Sequence, residues 1–410
     1  MKKEHKKNTL YLFTATYPYG SGESFVENEL RVLASKFDEI CIFPMHSGGM
    51  KREPVAENIS VISLFENKRM SKWKLLARYF FMILRILSLE YRNTVSKNYF
   101  IHSLPLYRSM LLQNLFRAEA LEAYLAGAKN DNITFYSFWT DDWATVLGVL
   151  KEKKIISSFV SRVHGYDLYK ERWDMNVIPF RNFQFRQVAK VFAVSSDGFS
   201  YLKKNYPEQA SKFYLSHLSA LDNGMAGFDE QGVFTIVSCS NLIPLKRVHL
   251  LAAALKQVSF ELKWVHFGDG EERQKILGLI SELPSNITAT LMGSVPHAEL
   301  ISFYKAVPVH AFIHLSETEG GVPLSLQEAA GFGIPLIGTT AGGAAEIVNE
   351  NTGIPLGNAV APDELAEVIR NFKDSEKNTM AFRAGVRKFW QQSFNAETVY
   401  TDFYKKITEQ

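Results

Sequence analysis

The chain has 410 residues, of which 46% are hydrophobic and 22% charged, and a formal net charge of +3. That length points to roughly two domains and that composition to a folded globular chain. So small a charge, with no Lys/Arg-rich motif interleaved with aromatics, gives no basis for a nucleic-acid partner. The two cysteines, Cys41 and Cys239, lie in apolar runs. They read as reduced core thiols of a cytosolic protein, and no spacing suggests zinc.

In chain order, the charged start Met1 to Lys7 reads as a frayed tail. The apolar run after it, Leu10 to Ala15, is too short for a signal peptide. Residues 9–15 read as a strand. Gly20 and Gly22 make a turn, and Ser24 with Glu27 fits a capping box that opens a helix through Phe25, Leu30 and Leu33. Strand, glycine loop and helix open a nucleotide-type βαβ unit, although Gly-x-Gly alone also fits a plain turn. A strand follows at 40–44. Residues 72–92 form a basic, aromatic helix. Arg78 and Arg85 interrupt its apolar run before it could span a bilayer, so it either packs on the sheet or lies on a membrane face. A second long helix covers 99–128. Strands at 133–138, 157–163 and 188–194 alternate with helices at 144–150 and from Ser195. The strand ending at Val163 leads into His164-Gly165, where open α/β sheets bind ligands. A purely structural histidine fits the same spot.

Residues 217–231 are polar and glycine-containing and read as a linker. Strands at 233–239, 262–267, 287–292 and 309–315 then alternate with helices at 248–257, 271–281 and 297–306. Repeated β-then-α order argues for parallel sheets with helices on both faces, hence an α/β protein of two doubly wound domains. The densest motif follows at 316–346. Glu319 closes an acidic loop, Gly320 and Gly321 permit a tight turn, and Pro323 suits the first helical position. Glu328 sits in that helix, 334–337 read as a strand, and Gly342-Gly343 turn again before Glu346. Glycine-flanked helix starts beside carboxylates suit a ligand with phosphates and hydroxyls. Lys246 and Arg247 place two cations where a helix begins, which suits a diphosphate; a solvated basic pair fits as well. From Pro323 to Glu328 is already about 7.5 Å of helix. Glu319 and Glu328 therefore contact different parts of one extended ligand instead of flanking a single bond. No Asp-x-Asp motif occurs, and Asp141-Asp142 lacks the spacer. A helix at 362–372 and an aromatic helical tail at 381–407 complete the chain.

Glu319-Gly-Gly-Val-Pro-Leu-Ser-Leu-Gln-Glu328, followed by Gly333-Ile-Pro-Leu-Ile and Gly342-Gly-Ala-Ala-Glu, resembles the signature of family-four retaining glycosyltransferases (glycosyl transferases group 1). The Gly20–Gly22 loop, His164-Gly165, the Lys246 loop, Gly268-Asp-Gly270 and the aromatic C-terminal helix extend the resemblance over most of the chain. It implies a GT-B fold, two Rossmann-like domains facing each other across a cleft. The implied domains are 1–220 for the acceptor and 221–388 for the nucleotide-sugar, with a helix at 389–410 crossing back onto the first. It also implies that Lys246, with Arg247, holds the diphosphate and that Glu328 binds the ribose. Glu319 and the backbone of Gly320, Gly321, Val322, Pro323 and Leu324 would hold the sugar. His164 would contact the sugar or acceptor, and Gly20 with Gly22 would line the donor site. Three departures stand out: eight residues between Glu319 and Glu328 in place of seven, Asn241 in place of an arginine, and His310 in place of an aspartate.

The resulting expectation is metal-independent, cofactor-free, retaining transfer of a hexosyl unit from a UDP- or GDP-sugar. The acceptor would be a glycan or lipid-linked acceptor of surface polysaccharide biosynthesis, and the place the cytoplasm or an anionic inner membrane face. A sugar-nucleotide epimerase and a silent partner of a membrane glycan synthase are the alternatives.

Overall fold

The computed structural model describes residues 7–20, 22–65, 71–94, 96–128 and 132–409. The tail expected at 1–6 lies outside the described residues. Contacts divide the chain into two units. The first comprises residues to Val194, Gly198–Ser216 and the C-terminal residues from Tyr400; the second comprises Ser195–Asp197 and His217–Val399.

The first unit contains β1 (Thr9–Thr14), α1 (Val26–Leu33), β2 (Glu39–Pro44), β3 (Ile59–Val61), α2 (Lys72–Asn93), α3 (Lys97–Gly127), β4 (Ile133–Ser137), α4 (Asp142–Glu152), β5 (Val160–Val163), α5 (Gly165–Leu168), α6 (Arg181–Gln187), β6 (Lys190–Ala193), α7 (Ser196–Asn205) and β7 (Phe213–Leu215). Its strands pair in parallel in the order β3-β2-β1-β4-β5-β6-β7. A central parallel strand is covered on both faces, so it reads as an unbroken apolar run. Every residue of β1 is buried. Tyr11 and Phe13 face the core under the helices, while Leu10 and Leu12 alternate to the other face.

The second unit contains β8 (Phe234–Cys239), α8 (Val248–Leu255), β9 (Leu262–Phe267), α9 (Arg273–Ile280), β10 (Ile287–Gly293), α10 (His297–Ala306), β11 (Ala311–His314), α11 (Leu324–Gly331), β12 (Leu336–Thr339), β13 (Gly353–Leu356), α12 (Pro362–Lys373) and α13 (Met380–Ser393), with α14 (Ala396–Thr408) beginning in it. The sheet is again parallel, in the order β10-β9-β8-β11-β12-β13. Period-two alternation splits its core: Val237, Val265 and Phe312 join one cluster, Ile236, Trp264 and Ile313 the other. In both sheets the order reverses beside the first strand, between β1 and β4 and between β8 and β11. Loops at the carboxyl ends of the strands flanking such a reversal form a natural binding crevice.

Several expectations need correction. Helix α1 starts at Val26, and its N-cap Phe25 makes no side-chain cap. Glu27 pairs instead with Arg52 at 2.9 Å, so the Ser24–Glu27 capping box is not made. The expected single tail helix breaks into α13 and α14. Residues 389–399 stay with the second unit because Trp390 packs against Gly331, where an added Cβ would lie 3.2 Å from the indole. The unit boundary falls at Ser216/His217, four residues before the expected one. From Tyr400 onward α14 belongs to the first unit. There Phe403 meets Tyr136 at 5.1 Å and Phe192 at 4.8 Å, and Tyr404 meets Phe37 at 5.1 Å. His310 is buried at the start of β11, where Nδ1 accepts the Thr235 N–H at 3.0 Å and Nε2 lies 3.1 Å from the Asp229 carbonyl. It ties strand ends together.

One buried cation organises the first unit. Arg162 donates from Nε to the Tyr136 hydroxyl and from Nη1 to the Ser216 carbonyl, both at 2.8 Å. Its Nη2 lies 3.1 Å from Glu29, and its guanidinium sits 4.4 Å over the Phe403 ring. It thus joins α1, β4, β5 and α14. Removing one partner of a buried ion pair strands the other charge. Glu29→Ala is expected to cost about 3–5 kcal/mol, read as a lowered urea midpoint; a midpoint within error of the parent would contradict this account.

Candidate functional site

The reversal in the second sheet brings two loops together. After β8 the chain makes a tight turn at Pro244–Lys246, and Arg247 adopts a left-handed conformation (φ 49°) as the N-cap of α8. After β11 comes the loop that carries Glu319. Lys246 Nζ lies 2.5 Å from Glu319 Oε1, and His314 Nε2 approaches the same oxygen at 3.2 Å. The Glu317 N–H donates to the Leu245 carbonyl at 2.9 Å, fastening loop to loop. Burial alone would raise the Glu319 carboxyl. The His314 imidazole and the Lys246 ammonium outweigh it and hold it at about 2.

Close backbone approach fixes this loop. A Cβ on Gly342 (φ 55°) would lie 2.1 Å from the Glu319 carbonyl oxygen, and one on Gly343 would lie 2.3 Å from the Gly321 carbonyl. Pro323 is the N-cap of α11, one position before the helix proper. Gln327, buried in α11, donates to the carbonyls of Leu218 (2.8 Å) and Val322 (3.1 Å) and accepts the Ala220 N–H (3.1 Å). Glu328 follows on the same helix, with Oε1 2.7 Å from His297 Nε2. Gly268 and Gly270 serve the neighbouring loop: Cβ atoms there would lie 1.9 Å from the Ser240 oxygen and 2.4 Å from the Leu242 oxygen.

Arg247 departs from expectation. Its guanidinium donates to the carbonyls of Leu315 (2.7 Å), Asn358 (2.6 Å) and Ser316 (3.4 Å). Its left-handed backbone turns the side chain to the loop wall, so it braces the site and is not a second free cation beside Lys246.

The first unit has its own constellation. Gly20 is exposed with φ 68°, a conformation that glycine adopts without strain, and its N–H donates to the Met50 carbonyl at 3.0 Å. Gly22 is exposed with open space where a Cβ would stand. Glu23, buried beside them, accepts the N–H groups of Ala15, Thr16 and Tyr17 at 2.5–3.2 Å and the Trp139 indole at 2.5 Å. The N–H groups of residues 15–17 are thus already taken by a resident carboxylate. His164 lies at the carboxyl end of β5 within an aromatic box: Trp139 at 4.2 Å, Phe138 at 4.9 Å and Phe25 at 6.0 Å between ring centroids. Its N–H donates to Asp167 at 2.6 Å. Burial, then Arg162, push the imidazole well below its ordinary value, so it is neutral.

Of the residues expected from the sequence, Lys246 and Glu319 meet directly, and Glu328 stands on the helix that follows. His164, Gly20 and Gly22 belong to the first unit. The sequence reading missed His314, Glu23 and His297. His314 ends a strand just as His164 does, and that position was the available signal.

Residues 228–389 match the model of the family described as Glycosyl transferases group 1. A stretch of 112 residues is 36% identical to the UDP-N-acetylglucosamine–peptide N-acetylglucosaminyltransferase GtfA subunit of Streptococcus agalactiae, covering 27% of this chain and 21% of that protein. Anabaena HepE in complex with UDP is similar in structure over 98% of this chain and 99% of that one, with a TM-score of 0.67 at 15% identity. Sucrose-phosphate synthase from Thermosynechococcus elongatus is similar over 98% of each chain, with a TM-score of 0.67 at 16% identity. At such identities the likeness shows the fold, which is GT-B.

The Glu319 cluster sets a pH dependence. A carboxylate held near 2 in the folded state, against 4.5 ordinarily, contributes stability that is fully present above about 4.5 and lost as the pH falls through about 2. The stability difference between the parent and Glu319→Gln is therefore expected to be largest above about pH 4.5 and to shrink below it. Denaturant titrations of both proteins from pH 6 to pH 2 check this; a difference that stays constant with pH contradicts it.

Proposed function

From the premise that the second unit is a glycosyl transferases group 1 domain of a GT-B protein, we propose that the chain transfers a hexosyl unit, with retention, from a UDP-sugar to a glycan or lipid-linked acceptor. The observation that carries the reading is the Lys246–Glu319 pair, 2.5 Å apart at the reversal of the second sheet. The names of the relatives, one a UDP-N-acetylglucosamine transferase and another a complex with UDP, support a uridine donor.

In this reading Lys246 meets the diphosphate, and the N–H groups at the start of α11 join it. Glu319 orders the sugar hydroxyls, with Gly320 to Leu324 as the wall beside them, and Glu328 takes the ribose. The bond from the sugar carbon to the phosphate oxygen breaks, and the diphosphate carries away the electron pair. The acceptor oxygen bonds to that carbon on the same face, and its proton passes to a diphosphate oxygen. Fixed cations and backbone dipoles are effective here because they need no reorganisation as the leaving charge grows. Lys246 supplies that charge in the mechanism, which therefore needs no metal. His164, neutral within its aromatic box, contacts the acceptor or the sugar.

The place of work is proposed to be an anionic membrane face on the cytoplasmic side, in surface polysaccharide synthesis. Among the described residues no helix is long and apolar enough to cross a membrane. Helix α2 packs Leu75, Tyr79, Ile83 and Ile86 inward, yet exposes Trp73 and Phe81 by 83% and 84%, with Lys72 and Lys74 beside them. Arg78 and Arg85, the charges that interrupt its sequence, pair with Glu119 and Glu152. An aromatic outer face with flanking lysines suits an interfacial helix.

Two outcomes test these assignments. Lys246→Ala is expected to lower turnover about 10²–10³-fold while the protein stays folded. UDP at about 100 times its Kd is expected to raise the parent's stability by about 2.7 kcal/mol in a thermal-shift assay. Full transfer by the variant would sink the diphosphate assignment, and loss of the parent's transfer on adding a chelator would sink the metal-free one. For the membrane, Trp73→Glu with Phe81→Glu is expected to abolish flotation with anionic liposomes at low salt; flotation equal to the parent's would retire that face.

A further inference from the structure

A second polar cluster lies wholly within the first unit and is not used by the reaction above. Glu90, at the end of α2, is buried. Its carboxylate accepts the Phe183 N–H at 2.9 Å and the Asn182 side-chain amide at 3.1 Å. Arg181 is 3% exposed. It donates from Nη2 to the Asp167 carbonyl, and its guanidinium lies 4.9 Å from the Phe185 ring. Its Nη1 and the Thr94 hydroxyl oxygen are buried with no hydrogen-bond partner among the described residues. Burying donors unspent costs free energy, and apolar side chains would fill the same space without that cost.

These groups stand in the wall of a cavity of about 560 Å³. That volume falls within the roughly 300–1,000 Å³ range of small-ligand sites. Asn176 and Gln209 line it, as do Asn93 and Asn205, whose side-chain amides donate to the Leu89 and Tyr201 carbonyls at 2.8 and 3.0 Å. Amides offer donor and acceptor together, which is what sugar hydroxyls require. Tyr206, half-buried in the wall, adds aromatic surface for the apolar face of a ring, while Tyr107 lines the wall from the core. Lys170 and Arg186 line the same cavity, and Lys170 Nζ holds the Asn205 amide oxygen at 3.1 Å. Two carboxylates, Glu90 and Glu208, face these cations. Burial pushes the Glu90 carboxyl up to about 7, so near neutrality it carries less than a full charge. The cavity is therefore biased toward an anion among hydroxyls.

We propose that this cavity binds an acidic saccharide unit, with amides and Tyr206 meeting its hydroxyls and ring, and Lys170, Arg181 and Arg186 drawing in its carboxylate. The inference rests on the first unit's geometry and not on the transfer chemistry at Lys246. Its readout is binding, so its failure is distinguishable from failure of the transferase reading.

The test is isothermal titration of the full chain with trigalacturonate, cellotriose and inorganic phosphate. Lys170→Glu and Arg186→Glu suit the purpose because neither side chain is buried, and a matching melting temperature confirms that each variant is folded. Trigalacturonate is expected to bind the parent and to lose about tenfold or more in affinity in each variant, as expected for a charge-assisted contact turned repulsive. Absent binding, or binding unchanged by both charge reversals, overturns the proposal. Cellotriose binding as tightly overturns the requirement for an acid, and phosphate binding as tightly overturns the requirement for a saccharide.

Discussion

The second unit depends on backbone meeting backbone. The loop bearing Glu319 lies against Gly342-Gly343 so closely that a side chain at either glycine would occupy the carbonyl positions of Glu319 and Gly321. Gly338, on β12, does the same for the end of β11: its missing Cβ leaves room for the His314 carbonyl, which would otherwise lie 2.6 Å off. These contacts set the backbone of the loop from which Glu319 meets Lys246 and His314. Positions held by packed backbone move little, which is what a preorganised site requires.

The two sheets share a topology and treat their reversal points in opposite ways. In the second unit glycines strip side chains from the loops and leave α11 to begin beside Glu319. In the first unit a carboxylate fills the corresponding place: Glu23 takes three successive N–H groups and the Trp139 indole. A loop whose donors are satisfied internally has little left for a phosphate. It can instead hold a shaped surface, and here that surface is the aromatic box around a neutral His164. The contrast between the two reversal points, paired charges at one and an aromatic surface at the other, follows from which groups are already spent.

The legible features were those that local chain chemistry encodes. The strand expected at 262–267 is β9 to the residue, because Leu262, Trp264, Val265 and Phe267 are buried in it and only Lys263 is exposed. The Glu319–Glu328 motif stood out because glycine and proline mark backbone geometry directly. What stayed hidden depends on contacts that no period or spacing reports. Glu23 acts through Trp139, 116 positions away. Arg247 reads as a cation beside Lys246 until its left-handed backbone turns it to the carbonyls of 315, 316 and 358. The strands β3, β7 and β13 have three or four residues each, too few to show alternation.

The pairing of Lys246 with Glu319 bears on how a charged ligand could enter. A lone buried ammonium would be costly, and so would a lone carboxylate; together they offset each other's desolvation. His314 on the same oxygen matters here, because it gives Glu319 a partner that remains when Lys246 turns elsewhere. In the proposed transfer, a diphosphate arriving at Lys246 would exchange one anionic partner for another, and the released carboxylate would still have His314 beside it. Neither charge would be stranded during the exchange. In that proposed reading, the free energy of binding would go into ordering a sugar along Glu319 and a ribose along Glu328 in place of desolvating the cation.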